Sequence, residues 1–516
     1  MTVLGKNIIE NLTTGMYEDC NIIYREYIQN SADQIKKAIS CRILKPEDAL
    51  IDITINKKNR SIIIFDNATG IPESDFEKKL SAIADSDKNR KESAGFRGIG
   101  RLGGIAYCDT LIFTSSAYGE KIKSIMYWDA KKCREILNDV KQRPTAEELI
   151  NSIISYEYEV CDENEHFFEV QLINIKEENV ELLNEKQVRK YLSFVAPVPF
   201  SNKFILRNKI YDYIKQENFS ILEFKILING TQLFKDYHCD LYEGVEDNRK
   251  LYDEISDIEF RKIISPKGDL LAWMWFGISK FEKQIPTINN MRGIRLRQSN
   301  IQIGDSETFA YPKFYKESRG SLYFIGEVHA LSCELIPNAR RDYFNENMTR
   351  VEFENALLPI MYTELYKLYH YANEVKNAFI KLSKYADKQI EYYDKQQSGL
   401  FIDENAKVKA KEELERQNKV AQEANNKLSL RNENAVSNPV LRRVYNQLEE
   451  EYKKDFRAPK TERKENEEGK FLSQKLSKLN KQERKLIGKV YSIISKVLPK
   501  DEAETLINKI QEELSK

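Results

Sequence analysis

No stretch of this chain is apolar for long enough to cross a bilayer: the longest such run, Leu270 to Ile278, falls well short of the roughly 20 residues that a membrane-spanning helix needs. The polar opening MTVLGKNIIEN carries no signal-peptide pattern. A cytoplasmic location without membrane contact is therefore expected. Charge of one sign is missing too, because 81 basic residues balance 81 acidic ones. No global field exists to hold nucleic acid, acidic substrates or an anionic membrane, which leaves only local faces for such work. The seven cysteines, at 20, 41, 108, 133, 161, 239 and 333, form no C-x-x-C pair and have no histidine at zinc-ligand spacing. They read as reduced packing residues. His238 beside Cys239 cannot build a four-ligand site alone. A G-x-x-x-x-G-K-[ST] P-loop is absent, and no internal repeat is detectable.

At 516 residues the chain exceeds what one hydrophobic core holds, so about three domains are expected. Up to about residue 175, an amphipathic helical pattern over Ile22 to Ile39 precedes β-type runs at Ile51 to Ile55, Ser61 to Phe65, Thr110 to Ser115, Ser152 to Val160 and Phe167 to Ile173. A second mixed region, roughly 185 to 345, has strand-like stretches at Phe224 to Ile228, Leu270 to Ile278, Gly293 to Leu296 and Leu322 to Val328. Turn signals at Asn229-Gly230 and Pro266-Lys267-Gly268 punctuate it. Both regions read as α+β. Beyond 346, glycine and proline become rare while Leu357, Met361, Leu365 and Leu368 recur at helical spacing, so 346–452 is expected to be helical. Residues 453–470 hold too few apolar side chains to fold alone and read as a charged linker. In 471–516, Leu486, Ile487, Val490, Ile493, Ile494, Val497 and Leu498 form an apolar stripe, Pro499 ends that helix, and Leu506, Ile510 and Leu514 begin another. Such a pair reads either as a subunit interface or as an αα-hairpin packed on its own domain.

Three segments carry the chemistry. In Arg25-Glu26-Tyr27-Ile28-Gln29-Asn30-Ser31-Ala32-Asp33, offsets of four and three residues bring Glu26, Asn30 and Asp33 to one side of a helix. Ile22, Ile23, Ile28, Ile35 and Ile39 put that side at the edge of a core. A carboxylate there can deprotonate a water, and an amide oxygen can ligate a hard cation. The alternative is a polar stripe on a surface helix. In Ile62-Ile63-Ile64-Phe65-Asp66-Asn67-Ala68-Thr69-Gly70-Ile71-Pro72, a buried-type strand runs into a sharp turn, so Asp66 can accept from an exocyclic amine or form an ordinary Asx-turn. In Gly95-Phe96-Arg97-Gly98-Ile99-Gly100-Arg101-Leu102-Gly103-Gly104, the glycines let backbone N–H groups approach an anion at the start of a helix.

The ordered set, E-x-x-x-N-x-x-D, then D-N-A-T-G-I, then G-x-x-G-x-G, lies within about 75 residues. It resembles the GHKL ATPases, whose Bergerat nucleotide fold carries these three boxes in this order. The resemblance implies an ATP-binding domain over 1–180, with Glu26 as general base, Asn30 as Mg²⁺ ligand, Asp33 on the nucleotide side, Asp66 recognising adenine and Gly70 shaping the base pocket. Gly95, Gly98 and Gly100 fall in the phosphate-covering lid. Leu80 to Ser86 resembles the chaperones' lid-entry helix, and only eight residues separate Ser86 from Gly95, so a short lid is implied. Lys88, Arg90, Lys91, Arg97 and Arg101 make that neighbourhood basic enough to neutralise triphosphate charge. Two departures stand out. Ala68 replaces the first Gly of D-x-G-x-G, and His166-Phe167-Phe168-Glu169-Val170 stands where a Gly-Thr usually lies beside the adenine. The second region, 185–345, resembles a transducer domain whose cation reaches the γ-phosphate. Leu335 to Asp342 resembles the chaperone segment that supplies it, which implies Arg341 first and Arg340 second, with Arg292, Arg295 and Arg297 as further candidates. Pairing of these arginines with acidic neighbours such as Asp342 is the structural alternative.

A phospho-acceptor histidine ahead of the ATP site is missing, since the 25 residues before Glu26 contain none. There is no room for a DNA-cleaving topoisomerase module, and MutL-type metal-ligand clusters are absent. The remaining layout of ATPase, transducer and helical tail resembles HtpG-type heat-shock-90 chaperones and MORC-like bacterial ATPases. It implies a homodimeric clamp that closes on a protein client or, in genome defence or maintenance, on nucleic acid. Lys475, Lys478, Lys481, Arg484, Lys485 and Lys489 offer a local basic patch for the second case, or a solubilising helix face.

Overall fold

The computed structural model of the chain describes residues 4–13, 19–82, 100–397, 401, 404–454 and 479–515. It divides into two compact units, Met1–Ser279 with Lys283–Tyr366, and Lys280–Glu282 with Lys367–Lys516. The fold class is α+β, with mixed sheets in the first unit and helices in the second.

Among the described residues, the first sheet contains β1 (Leu50–Asn56), β2 (Ser61–Asp66), β3 (Thr110–Ser116), β4 (Ile122–Asp129), β5 (Ile154–Val160), β6 (Phe167–Ile173), β7 (Lys225–Ile228) and β8 (Thr231–Gln232). They run in the order β5-β4-β3-β6-β2-β1-β7-β8. Side chains alternate across a strand, so Ile62, Ile64 and Asp66 of β2 all point to the covered face. The Ile22–Ser40 helix packs there against β2. Ile23, Tyr24, Tyr27, Ile28 and Ile35 of that helix are buried, each such side chain contributing on the order of 1.5–3 kcal/mol by leaving water. The helix stops where the Cys41 N–H bonds back to Lys37 O and Arg42 turns left-handed at φ 59°. The strand expected at 224–228 in the second region pairs parallel with β1 and so extends the first sheet. Ser152 and Ile153, read as strand, instead finish the Ala146–Ile153 helix, which Thr145 and Glu148 start with a reciprocal capping box.

A hairpin of β9 (Asp240–Val245) and β10 (Asn248–Glu254) leads into the second sheet. There β11 (Asp257–Ile264), β12 (Leu270–Ile278), β13 (Gly293–Gln298), β14 (Ile301–Ile303) and β15 (Ile325–Ala330) follow the order β11-β12-β15-β13-β14. The longest apolar run of the sequence is β12, buried along nearly its whole length. Residues 320–323, expected to begin a strand near 322, form a 3₁₀ turn before β15. At the centre of this sheet lies a charged node. Glu327 takes Arg297 Nε at 2.5 Å and Lys235 Nζ at 2.9 Å, and His329 Nε2 lies 3.0 Å away. Arg297 also donates to Phe194 O at 2.6 Å, tying the Glu185–Val195 helix, which runs between β6 and β7 of the first sheet, to the node. Burial, reinforced by Arg297, pushes Lys235 down to about 8. Isolated charges buried this deeply would be strongly destabilising, and their mutual pairing offsets that cost.

In the second unit the helices are Tyr366–Gln397, Glu404–Val436, Pro439–Lys454, Lys481–Val497 and Lys500–Ser515. The stretch expected to be a charged linker lies, beyond Lys454, outside the described residues. The last two helices pack as a hairpin around Tyr491 and Ile507, with Ile487, Ile494, Ile510 and Leu514 against them. Leu486, Val490, Ile493 and Val497, at offsets of four, three and four, point away from that contact and are exposed. Among the described residues no helix is long and apolar enough to cross a membrane.

Candidate functional site

One helix gathers the segments singled out above. Glu26 of the Ile22–Ser40 helix is 5% exposed, on a side chain that would normally seek water, so its surroundings must compensate the charge. Two cations do so. Arg341 Nε stands 3.1 Å from Glu26 Oε1, and Arg25 Nη2 stands 3.6 Å from the same oxygen. Among the described residues no donor makes a well-directed hydrogen bond to that oxygen. The carboxylate is thus held by charge. Its other oxygen abuts Gly100, where an added Cβ would come within 2.3 Å of Oε2. Only glycine lets the backbone pass this close.

Arg341 reaches the helix from a tight loop of the second region. The loop closes through a bridge between Pro337 and Phe344, and Gly304 N–H donates to Arg341 O at 2.7 Å. Arg341 itself takes a left-handed φ of 56°, unusual for a residue with a side chain and a sign that the surrounding contacts over-determine the loop. Its Nη1 donates to Gln29 Oε1, while Arg25 Nη2 donates to the carbonyl of Arg340 at 3.3 Å. Of the other arginines considered, Arg295 is buried over the Phe194 ring and Arg297 lies in the charged node. Arg292 donates to Ile285 O at 3.3 Å.

Further along the helix, Asn30 and Asp33 are half-buried on the face of Glu26. Next to Asp33, Gln34 accepts from Thr69 Oγ1 at 3.2 Å, which joins the helix to the Asp66–Gly70 turn. Asp66, at the end of β2, is 1% exposed and accepts from Ala68 N at 3.1 Å, an Asx-turn geometry. Gly70 has φ +63°, and a Cβ there would sit 1.8 Å from Ser116 O. The turn is sewn to its neighbours by Ile71 N to Ser115 Oγ at 2.8 Å and by His166 Nδ1 to Ala68 O at 2.7 Å. Opposite Asp66 in register stands Phe168, whose ring stacks on Phe113. Ser86, Lys88, Gly95, Arg97 and Gly98 lie outside the described residues.

Sequence reasoning passed over Arg25, Gln29, Gln34 and His166. Gln29, three residues after Glu26, and Gln34, four after Asn30, follow the helical periodicity of that face, and Arg25 directly precedes Glu26, so all three were legible as its neighbours. Nothing in the local sequence marks His166 as a partner of a carbonyl 98 positions earlier. The seven cysteines are free thiols, and burial pushes Cys108 up to about 12 and Cys133 up to about 11, so both stay protonated. Among the described residues no cluster of three His, Cys, Asp or Glu side chains could hold a metal ion.

Residues 18–160 match the family described as histidine kinase-, DNA gyrase B-, and HSP90-like ATPase. Chaperone protein HtpG of Halalkalibacterium halodurans is 27% identical over 134 residues, covering 23% of this chain and 21% of the relative. HtpG of Buchnera aphidicola subsp. Schizaphis graminum is 22% identical over 376 residues, covering 68% and 54%. HtpG of Alkaliphilus metalliredigens is 31% identical over 110 residues, covering 19% and 18%. The matched stretches span from about a fifth to about half the length of these relatives. Over residues 18–160 the chain is therefore similar to the GHKL ATPases, and its similarity to HtpG-type chaperones covers only part of their length.

Proposed function

We propose that the protein hydrolyses ATP with Mg²⁺ and uses the reaction to close a homodimeric clamp on a protein client. The observation that carries this reading is the buried Glu26 carboxylate framed by Arg341, Arg25 and Gly100. Glu26 takes a proton from the attacking water, and the two arginines that compensate the charge of its buried carboxylate suit that role. Asn30 offers its amide oxygen to Mg²⁺, which when bound neutralises phosphate charge and orients the transferring group. Arg341, with Arg340 on the same loop, carries the cation that stabilises charge developing on the γ-phosphate. Asp33 lines the nucleotide side, Asp66 accepts from the adenine amine, and Gly70 keeps the base pocket open. Ser86, Lys88, Gly95, Arg97, Gly98 and Gly100 form the phosphate-covering segment.

In this reading residues 1–180 bind the nucleotide, 185–345 act as transducer, 346–452 form a helical region, and 471–516 join subunits beyond a linker at 453–470. The exposed face at Leu486, Val490, Ile493 and Val497 supports the dimer, since a stripe of four apolar residues gains by covering itself with a second copy. That the relatives are chaperone proteins supports a protein client. Salt-dependent DNA binding that vanishes when Lys489 and its basic neighbours become Glu would transfer the reading to a nucleic-acid clamp.

Asp66→Asn tests the nucleotide site cleanly. It can keep the oxygen that accepts from Ala68 N while replacing the other with a donor, which opposes an adenine amine. ATP affinity by titration calorimetry should fall at least about tenfold with the melting temperature little changed. Unchanged affinity would contradict adenine recognition by Asp66.

A further inference from the structure

We infer that Gln29 is a positioning residue, a neutral tether that holds the Arg341 guanidinium against the nucleotide-facing helix. The inference rests on the roles proposed above for Glu26 and Arg341 and adds a residue to them. Gln29 is 1% exposed, three residues after Glu26 and four after Arg25, so its amide lies on the same ridge as both. Its Oε1 accepts from Arg341 Nη1 across 312 positions of sequence, while Nε of the same guanidinium faces Glu26.

The guanidinium thus meets two acceptors of different kind on two of its edges. A carboxylate alone would hold the arginine only by neutralising the group that has to accept a proton. It would also lose its grip whenever a phosphate drew the guanidinium away. The amide of Gln29 has no charge to cancel, and a hydrogen bond to an ionised donor is stronger than one between neutral groups. Arg341's backbone is already fixed by its left-handed φ and by Gly304 N–H, so the side chain's remaining freedom is what Gln29 removes. Arg25 completes the clasp by holding the neighbouring carbonyl of Arg340. Positioning of this kind acts on the reacting geometry and little on ground-state affinity, so its loss belongs in kcat.

The test is steady-state ATP hydrolysis by the full chain with Gln29→Met, which keeps the volume and removes the acceptor, and with Arg341→Ala and the double variant. Gln29→Met should lower kcat about tenfold with KM for ATP within about twofold, and should add nothing once Arg341 is Ala. Gln29→Asn, which keeps an amide one carbon shorter, should fall between Gln29→Met and the parent. A double variant whose losses multiply, or a Gln29→Met that raises KM and leaves kcat intact, would overturn the tether. Arg341→Ala turning over ATP at the parent rate is a separate failure: it removes the arginine's role and the tether with it. Circular dichroism melts of each variant identify losses that come from unfolding, and Gln29→Asn carries the test if Gln29→Met does not fold.

Discussion

Replacing Gly100 by Ala puts a methyl group where Glu26 now lies. The new Cβ would stand 2.3 Å from Glu26 Oε2, 3.2 Å from its Cδ and 3.3 Å from its Cβ, against the 3.0 Å that methyl contacts keep as a minimum. The obstacle is the end of a side chain and not backbone, so the fold can absorb the change while the carboxylate retreats by about 0.7 Å or more. Misplacing a reacting group by ~1 Å costs ~10²-fold in rate, or about 2.7 kcal/mol in the barrier. Phosphate release at saturating ATP should therefore drop about 10²-fold, with the melting temperature within about 3 °C of the parent. Gly103→Ala is the matched control, because its Cβ would meet only Ile23 Cδ1, at 3.2 Å, and leaves the carboxylate alone. A Gly100→Ala enzyme with parental kcat would refute the assignment of Glu26 as base. Equal losses in both variants would trace the effect to general packing.

Two further outcomes follow from the cores. His329 lies face to face with Trp273 and against Glu327, Lys235 and Arg297, and burial pushes its pKa down to about 4 from 6.5. The unfolded chain binds that proton first as pH falls, so the contribution is whole above about pH 6.5 and is lost toward pH 4, amounting to about 3 kcal/mol. Urea titrations followed by tryptophan fluorescence should lose this increment between those pH values, and His329→Gln should flatten the slope; an equal slope in the variant would contradict the assignment. At the other end of the chain, Ile493→Asp places a charge on the exposed apolar face and should convert a dimer to monomer in sedimentation velocity. An unchanged mass would remove that face from the interface.

Periodicity exposed much of the fold. The runs at 167–173 and 270–278 are the bounds of β6 and β12: β12 is buried along nearly its whole length, and β6 sets buried Val170 and Leu172 among half-buried neighbours, so the apolar residues of each mark a strand without tertiary help. The pattern at 22–39 differs from the Ile22–Ser40 helix by one residue. It was less clear where long-range pairing decides. Lys225–Ile228 reads like any strand of its own region, and only the register with Leu50–Ile53 reveals which sheet it joins. β4, with its mixed sequence IKSIMYWD, and the polar β9–β10 hairpin lack a continuous apolar signal, so both escaped notice. At the site, the helix period brought Glu26, Asn30 and Asp33 to one face, whereas the Arg341 contacts with Glu26 and Gln29 join residues more than 300 positions apart. Local spacing carries no such information.

The most direct measurement is ATP turnover beside nucleotide binding for the parent, Glu26→Ala and Asn30→Ala. Glu26→Ala should bind ATP yet hardly hydrolyse it, and Asn30→Ala should lose the Mg²⁺-dependent part of binding. Parental turnover in both variants would contradict the central claim that this helix presents an acid and an amide to a metal-bound triphosphate.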